Sequence, residues 1–594
     1  TELEAAGHVF ETDHSDTEVL VHGWREWGGK HKLELSDRGD PDPLTNHGLF
    51  EHLEGMWSYA CWTQSNGVFQ IGNDRHREKP VWMQHSATQY IFSSVLTGMI
   101  SLRARCTQDA LFEKPDYSIP NMVRSTKLLH TYLGAEREFD SFGTKGLDGD
   151  SFVGPSHHWY KNQSPRPHVI NHRVHEPDTE TIDALIAQSV RSQLEADVPI
   201  GIFLSGGIDS GLIAAHAQSH APGIKAYTVR MPDPRYDESE AAAETAKVLG
   251  INHEILECAP DPAADLVKLI QQIGVPFGDS SLLPTYWLSK EVKKEVSVAL
   301  AGDGGDELFA GYERHRVAGL LSTRRKMLML IPSWLMSQRD PKSKWTKIAR
   351  LGHASRGDGY SGLIDLFQGS DMGKLFGSQW NSGVSLHPLN LLLIGIGASW
   401  SLIRSDQHKA EIAVGRALDH DLRDYLRNDL LFKTDSASMH SALEVRCPFL
   451  DSELVNLATN AKISTLMPNG ERKGLLKQVA RKYLPDHIVD RPKQGFAIPI
   501  GEWFRTDYGD MRQLLYDHLE SADPFPGLAD AGVNINMNFV QQMLREHDAA
   551  GEKSINPWHG RDHSQRLYMM LVLSIWSKWL DRIRSEPVAQ ASRL

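Results

Sequence analysis

The sequence predicts a doubly wound, mostly parallel α/β sheet, preceded by a strand-rich segment and followed by a largely helical carboxyl-terminal part. Three observations predict it. From residue 177 on, short apolar runs alternate with stretches of helical period, the signature of a parallel sheet covered by helices. Two of those runs break at glycine-rich turns, FLSGGIDSG at 203–211 and VALAGDGGDELFAGY at 298–312. Residues 1–130 instead carry strand-like runs (GVFQIGN, PVWMQH, YIFSSV), and residues 330–585 are mostly of helical period.

Taken in order, the first helix expected is DTEVLVHGWREWGG. Ser15 and Glu18 have capping-box spacing at its start, and Gly28-Gly29 stop it. Residues 1–135 read as one partial domain. Residues 136–176 lack periodicity, carry Gly, Pro, Ser and His, and read as a linker. Residues 177–585 read as the second domain. It opens with the amphipathic helix TIDALIAQSVRSQLEA and the strand PIGIFL. Helix IDSGLIAAHAQ, strand IKAYTVRM, helix DESEAAAETAKVLG (stopped by Gly250) and strand HEILEC follow. Helices PAADLVKLIQQI and SLLPTYWLSKEVKKE then lead to strand VSVALAG.

A chain of 594 residues exceeds a single core and implies at least two domains. Its net charge of -13 argues against a non-specific nucleic-acid binder. An anionic ligand would need local cancellation, for example by a divalent cation. Cys61, Cys106, Cys258 and Cys447 are scattered and form no CxxC. That disfavours a zinc site or a disulfide framework and fits a cytoplasmic protein. The most apolar stretch, LHPLNLLLIGIGASWSLI at 386–403, contains His, Pro and Asn, and reads as an insertion rather than a membrane span.

Ligands of a parallel sheet sit beyond the carboxyl ends of its strands, and the SGGIDS turn lies there. Its two glycines admit close approach to backbone N–H groups, and the next helix offers its electropositive start. That suits a phosphate, although no Walker lysine follows. Asp209 would repel phosphate unless Mg²⁺ bridges them; Ser and Asp could also simply cap the helix. The second turn adds Asp303, Asp306 and Glu307, a costly concentration of acid without a cation. Two acidic turns at the ends of two strands can converge on one Mg²⁺. Lys473 opens an amphipathic helix from which it could reach phosphate oxygens, though it also suits a surface. Glu444 and Arg446 read as an ion pair.

SGGIDS, YDES at 236–239, PFGDSSLLPTY, GDGGDELFAGY, SMHSALEVRCPFLD, ERKGLLK and RPKQGFAIPIGEW occur in this order. Over about 177–583 the chain resembles the synthetase domain of glutamine-hydrolysing asparagine synthetases, of the ATP-pyrophosphatase group. The resemblance implies ATP and Mg²⁺ as cofactors. Ser205, Gly206, Gly207, Asp209 and Ser210 would hold the β,γ-phosphates, and Leu204, Val229 and Gly302 would line the adenine and ribose pocket. Asp209 and Asp306 would ligate Mg²⁺. Lys473 would balance charge at the α-phosphate, and Asp303 would face the acyl-adenylate where ammonia attacks. The implied partners are small molecules: ATP, aspartate or another carboxylate, and glutamine or ammonia. Neither nucleic acid nor membrane is expected, and a homodimer is compatible.

The same family carries an amino-terminal Ntn-type αββα glutaminase domain with an initial cysteine nucleophile. Residues from TELEAAGHVF onward, with LFEHLEGMWSYACWT and NDRHREKPVW, resemble its later part. Asp16 matches the aspartate that contacts the glutamine's amino-acid end. The segment bearing the initial cysteine has no counterpart here, so a truncated domain without glutaminase activity is expected. Arg77 stands where the family has glycine, and Val95 where it has glutamate. Cys61, among YACW, reads as core. FGDSSLLPTYWLS lacks the arginine that some members carry, which leaves the acceptor open. An amidotransferase or lactam-forming synthetase acting on another carboxylate is one alternative. An inactive nucleotide-binding relative is the other, and it would be expected to lose Asp209, Asp306 or Lys473.

Overall fold

The structure, a computed structural model, describes residues 2–12, 16–28, 52–63, 68–85, 90–98, 151–153, 173–332, 344–355, 359–364, 366–367, 369–377, 406–492, 495, 497–530, 533–550 and 561–585. The apolar stretch at 386–403, Cys106 and Ser15 of the expected capping box lie outside them. Glu18 instead accepts from the N–H groups of Glu11 and Thr12, at 2.6 and 2.9 Å.

Ten strands are described: β1 Ser58–Thr63, β2 Val68–Asn73, β3 Trp82–His85, β4 Tyr90–Ser93, β5 Ser151–Val153, β6 Ile200–Phe203, β7 Lys225–Arg230, β8 Asn252–Glu257, β9 Val298–Leu300 and β10 Glu444–Arg446. The amino-terminal ones form two small antiparallel sheets, β1-β2 and β4-β3-β5. The second takes β5 from within the stretch expected to be linker, with Met83 opposite Val153.

The central sheet runs β10-β9-β6-β7-β8, all parallel. Its middle strands, IGIF and VAL, are continuous apolar runs because helices cover both faces. On one face Ile202 and Leu300 pack with Ile186, Leu212 and Leu476, from helices Thr179–Gln193, Ile208–His220 and Gly474–Ala480. On the other, Tyr227 and Ala299 pack with Val292 and Leu443. Strand β10 comes from the helical part, so the sheet is completed by residues 146 positions beyond their partners in β9 (Glu444 against Val298). The ion pair expected of Glu444 and Arg446 forms at 2.6 Å, and Arg446 also ties β10 to Gln193 O at 2.7 Å.

The largest core surrounds helix Ser564–Ser585. Trp576 within it donates to Gly274 O at 2.8 Å, and nearby Trp287 donates to Asp265 Oδ2 at 2.7 Å. Each buried indole N–H thus keeps a partner. Trp82 and Leu96 of the amino-terminal part belong to this same core. Among the described residues no helix is long and apolar enough to cross a membrane.

Candidate active site

β6 ends at Phe203 and helix Ile208–His220 starts five residues on, so the SGGIDS turn sits at the carboxyl edge of the sheet. Leu204 N–H donates to Tyr227 O at 2.9 Å, extending the ladder by one residue. Thr228 Oγ1 donates to Leu204 O at 2.6 Å. Ser210, in the first turn of the helix, folds back on the loop. Ser205 N–H donates to Ser210 Oγ at 3.1 Å, the two hydroxyls lie 2.8 Å apart, and Gly207 N–H donates to Ser205 Oγ at 3.2 Å. The turn therefore has a fixed shape before any ligand arrives. Leu204 and Val229 are buried behind it.

The second turn lies directly on the first. A Cβ at Gly305 would meet Asp209 Oδ1 at 2.9 Å, and one at Gly302 would meet Asp209 Cβ at 3.0 Å. A side chain at either glycine would push Asp209 out of its place. Lys473 joins the two acids, with Nζ 2.5 Å from Asp209 Oδ2 and 2.7 Å from Asp306 Oδ1. It is 7% exposed and caps helix Gly474–Ala480 with φ +54°. A left-handed lysine is strained, and such strain persists where the surroundings over-determine it. Burial pulls the ammonium pKa down, but Asp209 and Asp306 outweigh it and hold the group above its ordinary value.

The donor set suits a hard divalent cation. Mg²⁺ is commonly held by one or two carboxylates plus substrate phosphate oxygens, and two carboxylates converge here. No cage of three or more His, Cys, Asp or Glu side chains exists among the described residues. Glu307, the third acid of the turn with Asp303 and Asp306, is buried and accepts from the Tyr312 hydroxyl.

Asp303 lies at a second focus. Thr434 Oγ1 donates to Asp303 Oδ2 at 3.2 Å. Thr434 rides on helix Phe432–Met439, which follows the π-helix Asp421–Leu431. The preceding residue, Lys433, reaches Asp279 Oδ2 at 3.3 Å and Ser281 Oγ at 2.9 Å. Burial works against the Asp279 carboxylate, but Lys433 outweighs it and holds the pKa below the usual range. Asp429 is pushed up to about 8, by burial and then by the charge of Asp279. Lys433, Thr434, Asp279 and Asp429 carried no role in the sequence reading. Their signal was a lysine set in the apolar run LLFKTD and an Asp-Ser-Ser just before a helix.

In the amino-terminal part Asp16 is the first residue of helix Asp16–Gly23, and Cys61 lies on β1 opposite Gln70. Arg77 has φ +62°, which explains why glycine is the easier residue at that place. Val95, just after β4, is 46% exposed.

A family model described as asparagine synthase matches residues 181–581, and one described as glutamine amidotransferase domain matches residues 1–101. The chain belongs to the asparagine synthase family. It is a ligase of the carbon–nitrogen type. It is 27% identical to asparagine synthetase [glutamine-hydrolyzing] 1 of Bacillus subtilis, over 97% of this chain and 82% of that one. It is 26% identical to a putative asparagine synthetase of Mycobacterium bovis, over 96% of this chain and 80% of that one. An amidase, chyE of Penicillium rubens, is 24% identical over 57% of this chain and 55% of its own. The two shared domains coincide with the strand-rich and the doubly wound parts of the fold.

Proposed function

We propose that the chain is an ATP-dependent asparagine synthase, with residues 1–135 as a glutaminase-type domain, 136–176 as linker and 177–585 as the synthetase domain. The observation that carries the reading is Lys473 held between Asp209 and Asp306 at the SGGIDS turn. An aspartate carboxylate oxygen attacks the α-phosphorus of ATP, the bond to the bridging oxygen breaks, and pyrophosphate leaves. Ammonia then attacks the acyl carbon and AMP departs, leaving the amide. Ser205, Gly206, Gly207, Asp209 and Ser210 cradle the β,γ-phosphates, while Leu204, Val229 and Gly302 border the nucleoside. Lys473 neutralises charge that grows between the α-phosphate and pyrophosphate. Asp209 and Asp306 would hold Mg²⁺, which when bound offsets phosphate charge. Asp303 accepts the proton lost by the attacking nitrogen.

Lys433 and Asp279, paired at 3.3 Å, set a cation and a carboxylate side by side, complementary to an α-amino acid's carboxylate and ammonium groups, which favours aspartate as acceptor. With Arg77 and Val95 where the family has glycine and glutamate, ammonia is the effective nitrogen donor. The test is AMP formation from Mg·ATP and aspartate, with ammonium in one reaction and glutamine in another. Asparagine and AMP with ammonium alone are expected. No AMP with either donor would remove aspartate as acceptor, and equal rates with glutamine would overturn the donor assignment.

Gly311→Ala tests the packing behind the acids. The added Cβ would lie 1.8 Å from Asp306 Oδ1 and 2.5 Å from Lys473 Cε, so both must move. Overpacking of this kind costs about 1–3 kcal/mol, and a shift of about 1 Å in positioned groups costs about 100-fold in rate. A lowered unfolding midpoint and a matching loss of AMP formation are expected. Parent-like turnover would show that Asp306 and Lys473 need not stay where they are.

A further inference from the structure

Glu78 lies in the turn that follows β2, in the sequence NDRHREKP. The turn is built around Asp74, whose Oδ1 accepts from His76 N–H and Glu78 N–H at 3.1 and 2.9 Å and whose Oδ2 accepts from Lys79 N–H at 3.0 Å. It is docked on the synthetase part. Lys79 Nζ pairs with Asp435 Oδ1 at 2.9 Å, and Arg427 Nη2 donates to Arg75 O at 2.7 Å. Asp435 follows Thr434, whose hydroxyl holds Asp303. The turn is therefore clamped to the helix that serves the second focus of the active site.

Glu78 itself is 8% exposed, and its Oε2 is buried with no hydrogen-bond partner among the described residues. The buried Cys447 thiol and Asp303 both lie close enough to Glu78 to act on its carboxyl electrostatically. Burial first, then Asp74, raises the Glu78 pKa well above the ordinary glutamate value. A buried carboxyl costs free energy unless its oxygens are used. The Lys79 charge offsets only part of this cost, because its ammonium is paired with Asp435. The arrangement is an unsatisfied acceptor, contributed by the amino-terminal domain, beside the residue that meets the nitrogen.

We propose that Glu78 is a binding residue for the incoming ammonia: its free carboxyl oxygen accepts an N–H of the nitrogen donor next to Cys447 and passes it on to Asp303. This rests on the amide-forming reading above. A carboxyl keeps an acceptor oxygen in either protonation state, so the contact does not depend on its titration.

The test uses the full chain with Glu78→Leu and Glu78→Gln. Two quantities are measured: aspartate-dependent exchange between ATP and pyrophosphate, which needs no ammonia, and the KM for ammonium chloride in AMP formation. Glu78→Leu is expected to leave exchange unchanged and to raise the ammonium KM about tenfold, the loss of one substrate hydrogen bond. Glu78→Gln retains a carbonyl acceptor and should stay within about threefold of the parent. Normal exchange with an unmoved ammonium KM in Glu78→Leu would overturn this inference alone. Loss of exchange in both variants would make Glu78 a residue of the fold and overturn it as well. Absence of exchange in the parent would overturn the amide-forming reading, and this inference with it.

Discussion

Lys473→Met lowers the rate of aspartate-dependent ATP–pyrophosphate exchange by about 100- to 1,000-fold, the usual loss when one preorganised electrostatic group is removed from a reacting centre. The reason is geometric. Lys473 Nζ is the cation between Asp209 Oδ2 and Asp306 Oδ1, at 2.5 and 2.7 Å. In the ligand-free chain it keeps two neighbouring carboxylates from repelling one another. In the proposed reaction the same ammonium would face the phosphate charge that develops as pyrophosphate leaves. Methionine has similar length and no charge, so the far-UV circular dichroism should match that of the parent. Exchange within tenfold of the parent would show that Lys473 only pairs the acids and does not serve the chemistry.

The second large effect is on stability. Asp421 is fully buried, and its Oδ2 accepts from His315 Nε2 at 2.7 Å, Arg314 Nε at 2.9 Å and the Tyr360 hydroxyl at 2.7 Å. The Arg314 guanidinium also stacks over the rings of Tyr312 and Tyr425, at 3.9 and 4.3 Å. Asp421→Ala leaves that guanidinium without its buried counter-charge, a change that costs about 3–5 kcal/mol in comparable settings. Because Tyr312 donates to Glu307 in the acidic turn, activity should fall together with the unfolding midpoint. A variant as stable as the parent would refute the network.

This network also sets the sign of the pH dependence. Burial raises the Asp421 pKa, but the His315 hydrogen bond and the Arg314 charge outweigh it and hold the group below the usual range. A depressed acid contributes stability that is present above its unfolded value, about 3.9, and lost as pH falls through the folded one. His315 is held low, first by burial. Below about pH 6.5 the unfolded chain takes up a proton there that the folded chain refuses. Both contributions therefore disappear on acidification. The unfolding midpoint should drop between pH 7 and pH 5, and less steeply in His315→Gln.

Much of this was legible in the residues themselves. The alternation of PIGIFL, IKAYTVRM, HEILEC and VSVALAG with helical stretches sufficed for a parallel sheet, because strands buried on both faces must be apolar throughout. Gly250 predicted its helix stop, and it adopts φ +64° there. The two glycine-rich turns were legible as a candidate site because they stand at the carboxyl ends of parallel strands, whereas Lys473 also suited a surface and gained a role only from the family resemblance. The stretch 136–176 was less legible: β5 has only three residues and no periodicity to announce it.

By itself, then, the sequence determined the doubly wound sheet, the order of its motifs, and the candidates Asp209, Asp303, Asp306 and Lys473. Local periodicity and backbone constraints are properties of neighbouring residues. Only the tertiary structure decided that Lys473 stands between two acids from distant turns, that Lys433 answers Asp279, and that Glu78 of the amino-terminal turn is buried beside Cys447. Those meetings join residues 154 to 369 positions apart (Lys433 with Asp279, Glu78 with Cys447). They depend on which side chains share a low-dielectric interior, and no local pattern encodes that.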